Sequence, residues 1–304
     1  MERLPAPKLP GFIARQLPDG LERYRVDVGG ARMHVMEVGR GRPLLMLHGN
    51  PTWGFLWRKV VRELDLSRFR VILPDLIGLG YSDHPTDARA HTLDQHIAWL
   101  GALLDGLDLD ELVFVGQDWG GPIGLGALYE RRDLARGLVI LNTAISPPRL
   151  GFKETAFHRF ARTPVVADVA FRLLGFPQVN LNVAQGDKKS ITGGAAWAYR
   201  LPLLDPRRNA APLAMARMVP NGPDHVSIPA LERVHAFVSG FTGPAEIVWG
   251  DRDPVLGRAR GWVEKNLPQA RVTRTKAGHF LQEEVPGEIA AAIARVGDAL
   301  DADR

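Results

Sequence analysis

Residues 116–121, GQDWGG, place one acidic side chain between glycines at the junction of two predicted elements. The apolar run 112–115 precedes this turn, and a segment of helical character, 122–131, follows it. A sharp turn from strand to helix exposes its central side chain above the carboxyl end of a sheet. That side chain is Asp118, a carboxylate that can attack an electrophile without first losing a proton. The turn alone leaves a second interpretation open, because Asp often caps a helix.

An acid and a histidine follow later in the chain, each after a predicted strand. Asp251 and Asp253 come directly after the strand 245–249, and His279 comes after the strand 271–275. A nucleophile on a turn of this kind is followed along the chain by an acid and then by a histidine. We therefore predict that His279 is a base and that Asp253 orients it. Asp251 is more typical of a turn, and Asn142, after an earlier strand, cannot carry charge and is a poor alternative acid.

Two uncharged donors are predicted to lie beside Asp118. Asn50 follows His48 and Gly49 in a loop after an apolar strand, and Trp119 directly follows Asp118. Backbone N–H groups at these two positions can form an oxyanion hole. The Asn50 amide and the Trp119 indole are also donors without positive charge, suited to holding an anion in an apolar pocket. Alone, each residue would more often be a turn residue or a core aromatic.

The elements that must position these residues alternate along the chain. Residues 24–28 and 32–38 flank Gly29 and Gly30 in the pattern of an antiparallel hairpin. Short apolar runs then alternate with segments of helical length, which predicts an α/β fold with a mostly parallel central sheet flanked by helices. The predicted strands are 43–47, 70–73, 112–115, 138–141, 245–249 and 271–275, and the predicted helices include 92–107, 120–132 and 286–300.

The alternation stops between residues 147 and 224. This segment contains short amphipathic stretches, at 157–160, 165–174 and 210–218, but no strand pattern. A structureless loop of this length is implausible in a compact protein. We therefore predict a helical cap domain, 147–224, inserted after the sixth predicted strand, with 1–146 and 225–304 as the core domain.

Composition excludes several classes of protein. The chain has 304 residues, of which 45% are hydrophobic and 24% charged, as in ordinary globular proteins. Its net charge is +4, but the sequence contains no block of five or six like charges, so a nucleic-acid partner is not expected. No secretory signal and no apolar stretch long enough to cross a bilayer is visible. With no cysteine, disulfides and thiolate chemistry are excluded. We expect a cytoplasmic protein without a membrane partner, and the oligomeric state stays open.

Four motifs give the chain a resemblance to the α/β-hydrolase superfamily and, within it, to the haloalkane dehalogenases. They are HGNPTWGFLW, GQDWGG, WGDRDPVLG and AGHFLQEE, and together they extend from His48 to Glu284. The resemblance implies hydrolysis of a carbon–halogen bond to alcohol, halide and proton through an aspartyl-ester intermediate. It implies a small apolar haloalkane, water and halide as partners, with no metal or organic cofactor. The implied nucleophile is Asp118, the implied acid and base are Asp253 and His279, and the implied halide ligands are Asn50 and Trp119.

Related activities on the same fold remain as alternatives. Epoxide hydrolases share the aspartate nucleophile, but that family typically uses two cap tyrosines, and only Tyr199 lies in the predicted cap. A fluoroacetate-type enzyme would want arginine where this chain has Trp119. A luciferase-like monooxygenase shares the same five residues, and a non-catalytic binding protein would have no need to keep them together. Some relatives use a second tryptophan, in the cap, as a halide ligand. Trp197 is the only tryptophan of the predicted cap, and Asn50 makes such a ligand unnecessary.

Overall fold

A single nine-stranded sheet runs through the protein, which is described here from a computed structural model covering residues 1–148 and 154–302. The strand order is β1-β2-β3-β5-β4-β6-β7-β8-β9. The strands are β1 (Leu4–Pro5), β2 (Glu22–Asp27), β3 (Arg32–Gly39), β4 (Arg42–Leu47), β5 (Phe69–Pro74), β6 (Leu112–Gly116), β7 (Ala135–Leu141), β8 (Ala245–Gly250) and β9 (Arg271–Thr275).

The sheet is antiparallel at one edge and parallel elsewhere. Strands β1 to β3 pair antiparallel, and β3 also pairs antiparallel with β5. All pairs from β5 through β4, β6, β7 and β8 to β9 are parallel. This confirms the predicted α/β fold with a mostly parallel sheet. The carboxyl ends of the parallel strands meet at one edge of the sheet, where ligands bind in such folds.

Helices cover both faces of the sheet. The α-helices of the described residues are α1 (Gly11–Ala14), α2 (Arg58–Glu63), α3 (Leu93–Gly106), α4 (Gly120–Tyr129), α5 (Ala156–Ala161), α6 (Val166–Asp168), α7 (Gly193–Arg200), α8 (Ala210–Arg217), α9 (Ile228–Ser239), α10 (Arg260–Asn266) and α11 (Pro286–Ala302). None of these helices combines the length and apolarity needed to cross a bilayer.

Strand β4 shows how the core is divided. Its last four residues, Leu44 to Leu47, are buried on both faces, as expected for a parallel strand between two helical layers. Leu45 and Leu47 belong to a core cluster with residues of α3, α4 and α9. Leu44 and Met46 belong to a second cluster with residues of α2 and α11. The period of two along the strand thus assigns alternate side chains to two separate layers.

The segment predicted as a cap lies between β7 and β8 and is called the insertion here (residues 147–224). Its described residues form α5 to α8 with short 3₁₀ and π-helical turns and contain no strand. Ala161, Phe171 and Leu213 are the centre of a small core cluster within it. The insertion follows the seventh strand, not the sixth, because the structure adds the two-residue β1, which is too short to show a sequence pattern. Residues 149–153, at the start of the predicted cap, lie outside the described residues.

Candidate active site

Asp118 lies on the turn between β6 and α4, in a backbone conformation that few residues other than glycine adopt. Its φ is 50°, in the left-handed region. Its N–H donates to the Asn142 carbonyl at 2.9 Å, and the Thr143 hydroxyl donates to the Asp118 carbonyl at 2.5 Å. A strained residue persists where surrounding bonds determine its conformation, and such residues cluster at functional sites. The turn that the sequence predicted is therefore present.

Close approach of the backbone explains two glycines around this turn. A Cβ atom on Gly49 would lie 2.3 Å from the Cβ of Asp118. A Cβ atom on Gly120 would lie 2.3 Å from the carbonyl oxygen of Leu47. Both distances are far below a normal van der Waals contact. Glycine at these positions lets the loop after β4 lie directly against Asp118.

The loop after β4 directs one backbone donor at the carboxylate. The N–H of Asn50 donates to Oδ1 of Asp118 at 2.8 Å. Among the described residues, none accepts a hydrogen bond from the backbone N–H of Trp119, which adjoins Asp118 in the turn. The structure thus brings together the two backbone groups that the sequence predicted as an oxyanion hole, although only the Asn50 N–H contacts the carboxylate.

His279 lies between two carboxylates. Its Nδ1 is 2.9 Å from Oδ2 of Asp253, and its Nε2 is 3.5 Å from Oδ2 of Asp118. All three side chains are buried or nearly so. Asp251, by contrast, lies at the surface and pairs with Arg274. The structure therefore places Asp253 beside the histidine, as the sequence predicted, and Asp251 away from it.

Asn142 holds the Asp253 carboxylate in position. Its amide nitrogen donates to Oδ2 of Asp253 at 2.7 Å and to the Gly250 carbonyl at 3.0 Å. Its amide oxygen accepts from the Gly250 N–H at 2.8 Å. The other carboxylate oxygen of Asp253 accepts the N–H groups of Val255 and Leu256. Asn142 is thus a neutral donor to the acid, consistent with its dismissal as an alternative acid.

The charges of this cluster shift two pKa values in opposite directions. Burial alone would lower the pKa of His279, but the charge of Asp253 and a hydrogen bond to Asp118 outweigh it and raise this pKa to about 10. Burial would raise the pKa of Asp253, yet the charge of His279 and its hydrogen bond leave this pKa below its usual value. The imidazolium form of His279 is therefore stabilised while both carboxylates are ionised.

The two side chains predicted to bind the anion, Asn50 and Trp119, also lie near Asp118, and Asn50 makes one unexpected contact. The Asn50 amide nitrogen donates to the Pro212 carbonyl of α8 at 2.9 Å, so the insertion engages one of its two N–H groups. The Asn50 amide oxygen is buried and accepts no hydrogen bond from the described residues. The Trp119 side chain is buried, and no described residue accepts a hydrogen bond from its indole N–H. One N–H of each side chain remains for a ligand.

The insertion contributes residues that the sequence did not reveal. The Ala184 carbonyl accepts the backbone N–H of His279 at 2.9 Å. His158 of α5 is buried, and Asp118 and His279 are among the charges that influence its ionisation. Burial, the largest cause, lowers the pKa of His158 to about 4. The only sequence signal for His158 was its place in the short amphipathic stretch 157–160, which did not indicate proximity to Asp118.

Two aromatic residues of the insertion were candidates for the site from the sequence, Trp197 and Tyr199. Trp197 is 51% exposed, with the Arg200 guanidinium 5.8 Å from its ring. Tyr199 is buried, and its hydroxyl donates to Oε1 of Glu283 at 2.5 Å. The Trp197 ring therefore lies at the surface, and the Tyr199 hydroxyl is engaged by another carboxylate.

The sheet order, the turn at Asp118 and the adjoining histidine and acid define a protein of the α/β-hydrolase class. A family profile described as alpha/beta hydrolase fold matches residues 42–286. The chain is 34% identical over 273 residues to a haloalkane dehalogenase of Mycobacterium marinum, covering 87% of this chain and 88% of that protein. It is also 34% identical to haloalkane dehalogenase 1 of Mycobacterium tuberculosis, covering 82% of this chain and 81% of that protein.

Solved structures agree with this assignment. Haloalkane dehalogenase DbeA from Bradyrhizobium elkani superimposes with a TM-score of 0.84 at 25% identity, covering 93% of this chain and 100% of that one. The tetrameric haloalkane dehalogenase DpaA from Paraglaciecola agarilytica gives a TM-score of 0.77 at 26% identity, covering 99% and 98%. The chain belongs to the haloalkane dehalogenase family, whose members are hydrolases acting on carbon–halide bonds.

Proposed function

We propose that the protein hydrolyses the carbon–halogen bond of small apolar haloalkanes and that Asp118 is its nucleophile. The observation that carries this proposal is that the two carboxylate oxygens of Asp118 have different contacts. Oδ1 of Asp118 accepts the Asn50 N–H at 2.8 Å, while Oδ2 lies 3.5 Å from His279. The anchored oxygen is positioned to take up negative charge later, and Oδ2 is left to attack.

In the first step, Oδ2 of Asp118 attacks the sp³ carbon that bears the halogen. A bond forms between oxygen and carbon, the carbon–halogen bond breaks, and halide leaves with its electron pair. No proton is transferred, because a carboxylate is already ionised, which is why Asp replaces the usual serine of this turn. The Asn50 amide and the Trp119 indole supply the N–H groups that stabilise the departing halide.

In the second step, His279 removes a proton from water, and the oxygen of that water attacks the carboxyl carbon of the Asp118 ester. The negative charge that develops on Oδ1 is stabilised by the Asn50 N–H that already contacts this atom, with the Trp119 N–H as the second donor. Collapse breaks the bond from the carboxyl carbon to Oδ2, and the protonated His279 returns its proton to Oδ2, which leaves in the alcohol. The new carboxyl group of Asp118 then releases one proton to solvent. Asp253 orients His279 and stabilises its imidazolium form.

Ester formation also prepares the base. In the free protein, Asp253 and Asp118 outweigh burial and raise the pKa of His279 to about 10. The ring is therefore protonated at neutral pH and cannot act as a base. The ester of Asp118 is uncharged, so one of the two groups that hold the proton disappears. The pKa of His279 then falls, and the neutral imidazole becomes available in the step that uses it.

The insertion is proposed to be a cap domain, residues 147–224, over a core of residues 1–146 and 225–304. Its contacts with the site residues support this: the Pro212 carbonyl accepts from Asn50 and the Ala184 carbonyl accepts from His279. An apolar substrate would then be enclosed between the cap and the carboxyl edge of the sheet. Epoxide hydrolysis is disfavoured, because the hydroxyl of Tyr199, the cap tyrosine, donates its hydrogen bond to Glu283 and not to a substrate oxygen.

The decisive experiment measures halide release from 1-bromobutane and 1,2-dibromoethane by the wild-type protein and by Asp118→Ala. We expect steady release by the wild type and none by the variant, with Asp251→Ala as a matched control that retains activity. Styrene oxide is offered in parallel. Turnover of styrene oxide without halide release would replace this proposal by the epoxide reading.

A further inference from the structure

The described part of the insertion exposes large aliphatic side chains on its outer surface. Residues 165–174 read VVADVAFRLL and form α6 followed by the π-helical turn Val169–Leu173. Ala167 and Phe171 point inward and are fully buried in the insertion's own core cluster. The outward side chains are also apolar, with Val165 72%, Leu173 63% and Leu174 67% exposed. The two charged residues of the segment, Asp168 and Arg172, are half-buried, so its most exposed side chains are aliphatic. Neighbouring exposed aliphatic side chains of this kind are typical of an interaction surface.

Basic side chains border this aliphatic surface. The 3₁₀ turn Pro206–Arg208 packs beside the segment, since the Asn209 amide donates to the Arg172 carbonyl at 3.1 Å. This turn places Arg207 and Arg208 at the surface, next to Leu204, which is itself exposed. The Arg207 guanidinium is paired with Asp205 at 2.8 Å, so the net positive charge of the turn is that of Arg208. We call these outward side chains the basic-aliphatic face: Val165, Leu173, Leu174, Leu204, Arg207 and Arg208.

The charge of the whole chain is concentrated in the insertion. Residues 147–224 contain eleven Lys and Arg against five Asp and Glu, whereas the chain has 38 and 34 in total. The insertion is therefore clearly positive and the remainder slightly acidic. A second copy of the chain would bring the same positive charges together at this face, which disfavours a symmetric contact. The complementary partner is an apolar surface that carries negative charge.

We propose that the basic-aliphatic face docks the protein onto an anionic lipid surface. The aliphatic side chains would enter the boundary between headgroups and acyl chains, while Arg208 contacts the phosphate headgroups. Such peripheral binding needs no spanning helix, so it is compatible with the absence of one in the described residues. Docking would bring the insertion to the lipid phase, where apolar haloalkanes accumulate. This benefit rests on the proposed function, whereas the docking itself does not.

The test is co-sedimentation with vesicles of phosphatidylcholine alone and of phosphatidylcholine with phosphatidylglycerol, seven parts to three. We expect binding to the anionic vesicles, weaker binding to the neutral ones, and release by high salt. Leu173→Glu should weaken binding roughly tenfold or more, since it removes one inserted apolar side chain. Arg208→Glu should weaken it at least about fivefold, the effect of one basic charge near an anionic surface.

Matched controls keep the test independent of folding and of catalysis. Val272→Glu introduces the same acid at an exposed apolar position on β9, and Arg40→Glu reverses an exposed charge in the turn after β3. Neither should change vesicle binding, and all four variants should release halide from dissolved 1-bromobutane like the wild type. Absence of binding to anionic vesicles, or equal loss in the controls, would overturn the proposal. So would a dimer in light scattering that Leu173→Glu converts to the 33.4 kDa monomer.

Discussion

At the scale of single residues, His279 separates the two halves of the proposed reaction. Its Nε2 lies 3.5 Å from Asp118, and its Nδ1 is held by Asp253. Attack by a carboxylate requires no base, whereas hydrolysis of the ester does. Removing the imidazole should therefore leave the first step and stop the second.

We expect His279→Phe to release about one halide per site and then stall, with the alkyl group retained on Asp118 as an ester. Rapid-quench halide assays and the mass of the intact protein measure both results. Asp118→Ala serves as the control and should show neither the burst nor the added mass. Sustained turnover by His279→Phe would remove the histidine from its assigned role.

Asn142 offers a second residue-scale prediction, because its amide nitrogen lies 2.7 Å from Oδ2 of Asp253. Asn142→Asp would place two carboxylates together, and their repulsion should raise the pKa of one of them. A buried acid with a raised pKa destabilises the protein at neutral pH, and this cost diminishes as the pH falls and the acid is protonated.

Urea unfolding from pH 4 to pH 8 measures that effect. Asn142→Ala, which removes the donor without adding charge, should cost about 1–3 kcal/mol at every pH. Asn142→Asp should cost more than Asn142→Ala at pH 8, and the difference should shrink toward pH 4. Parallel curves for the two variants would contradict the proposed repulsion.

The roles predicted from sequence differ in how local their signals were. Asp118 stood in a turn of recognisable spacing, and His279 and Asp253 each followed a predicted strand, so strand order alone brought them to one edge of the sheet. His158 and the Pro212 carbonyl had no such signal. They reach the site through packing of the insertion on the core, and the positions of short helices in an insertion are not encoded by their periodicity.

At the scale of elements, the same distinction separates the strands from the helices of the insertion. All eight predicted strands are present, because apolar or alternating runs between turn residues fix a strand locally, whether it is buried like β6 or largely exposed like β9. The helix predicted over 120–132 ends at Tyr129, and a separate 3₁₀ turn, Arg132–Leu134, follows. Within the insertion, the stretch predicted at 165–174 is divided between α6 and a π-helical turn, a distinction that apolar spacing does not reveal.

One buried cluster joins the insertion to the core and supplies a prediction at this scale. Glu283 is buried and receives two hydrogen bonds from Arg58, at 2.6 and 3.0 Å, as well as the hydroxyl of Tyr199 from α7. Glu283→Gln would leave the Arg58 charge buried without its partner and should cost about 3–5 kcal/mol of unfolding free energy. Tyr199→Phe keeps the ion pair and should cost only about 1 kcal/mol.

Urea unfolding of the two variants, monitored by tryptophan fluorescence, tests this ranking. Glu22→Gln, at an exposed carboxylate on β2, is the matched control and should lie within about 0.5 kcal/mol of the wild type. If Tyr199→Phe proved as costly as Glu283→Gln, the hydroxyl rather than the ion pair would be the main link between insertion and core.

At the scale of the whole molecule, the ionised site should make folding stability depend on pH. The folded protein holds the His279 proton up to a pKa of about 10, whereas an unfolded histidine releases it near 6.5. Between these values the folded state binds more protons, so the stabilisation from this group is complete below pH 6.5 and is lost as the pH rises toward 10. The loss can reach about 1.4 kcal/mol per pH unit.

Urea unfolding from pH 6 to pH 9.5 should show this decline in the wild type and a much flatter profile in His279→Gln, whose side chain does not titrate. Equal slopes in the two proteins would mean that His279 is neutral in the free enzyme, and the proposed appearance of the base upon ester formation would then be wrong.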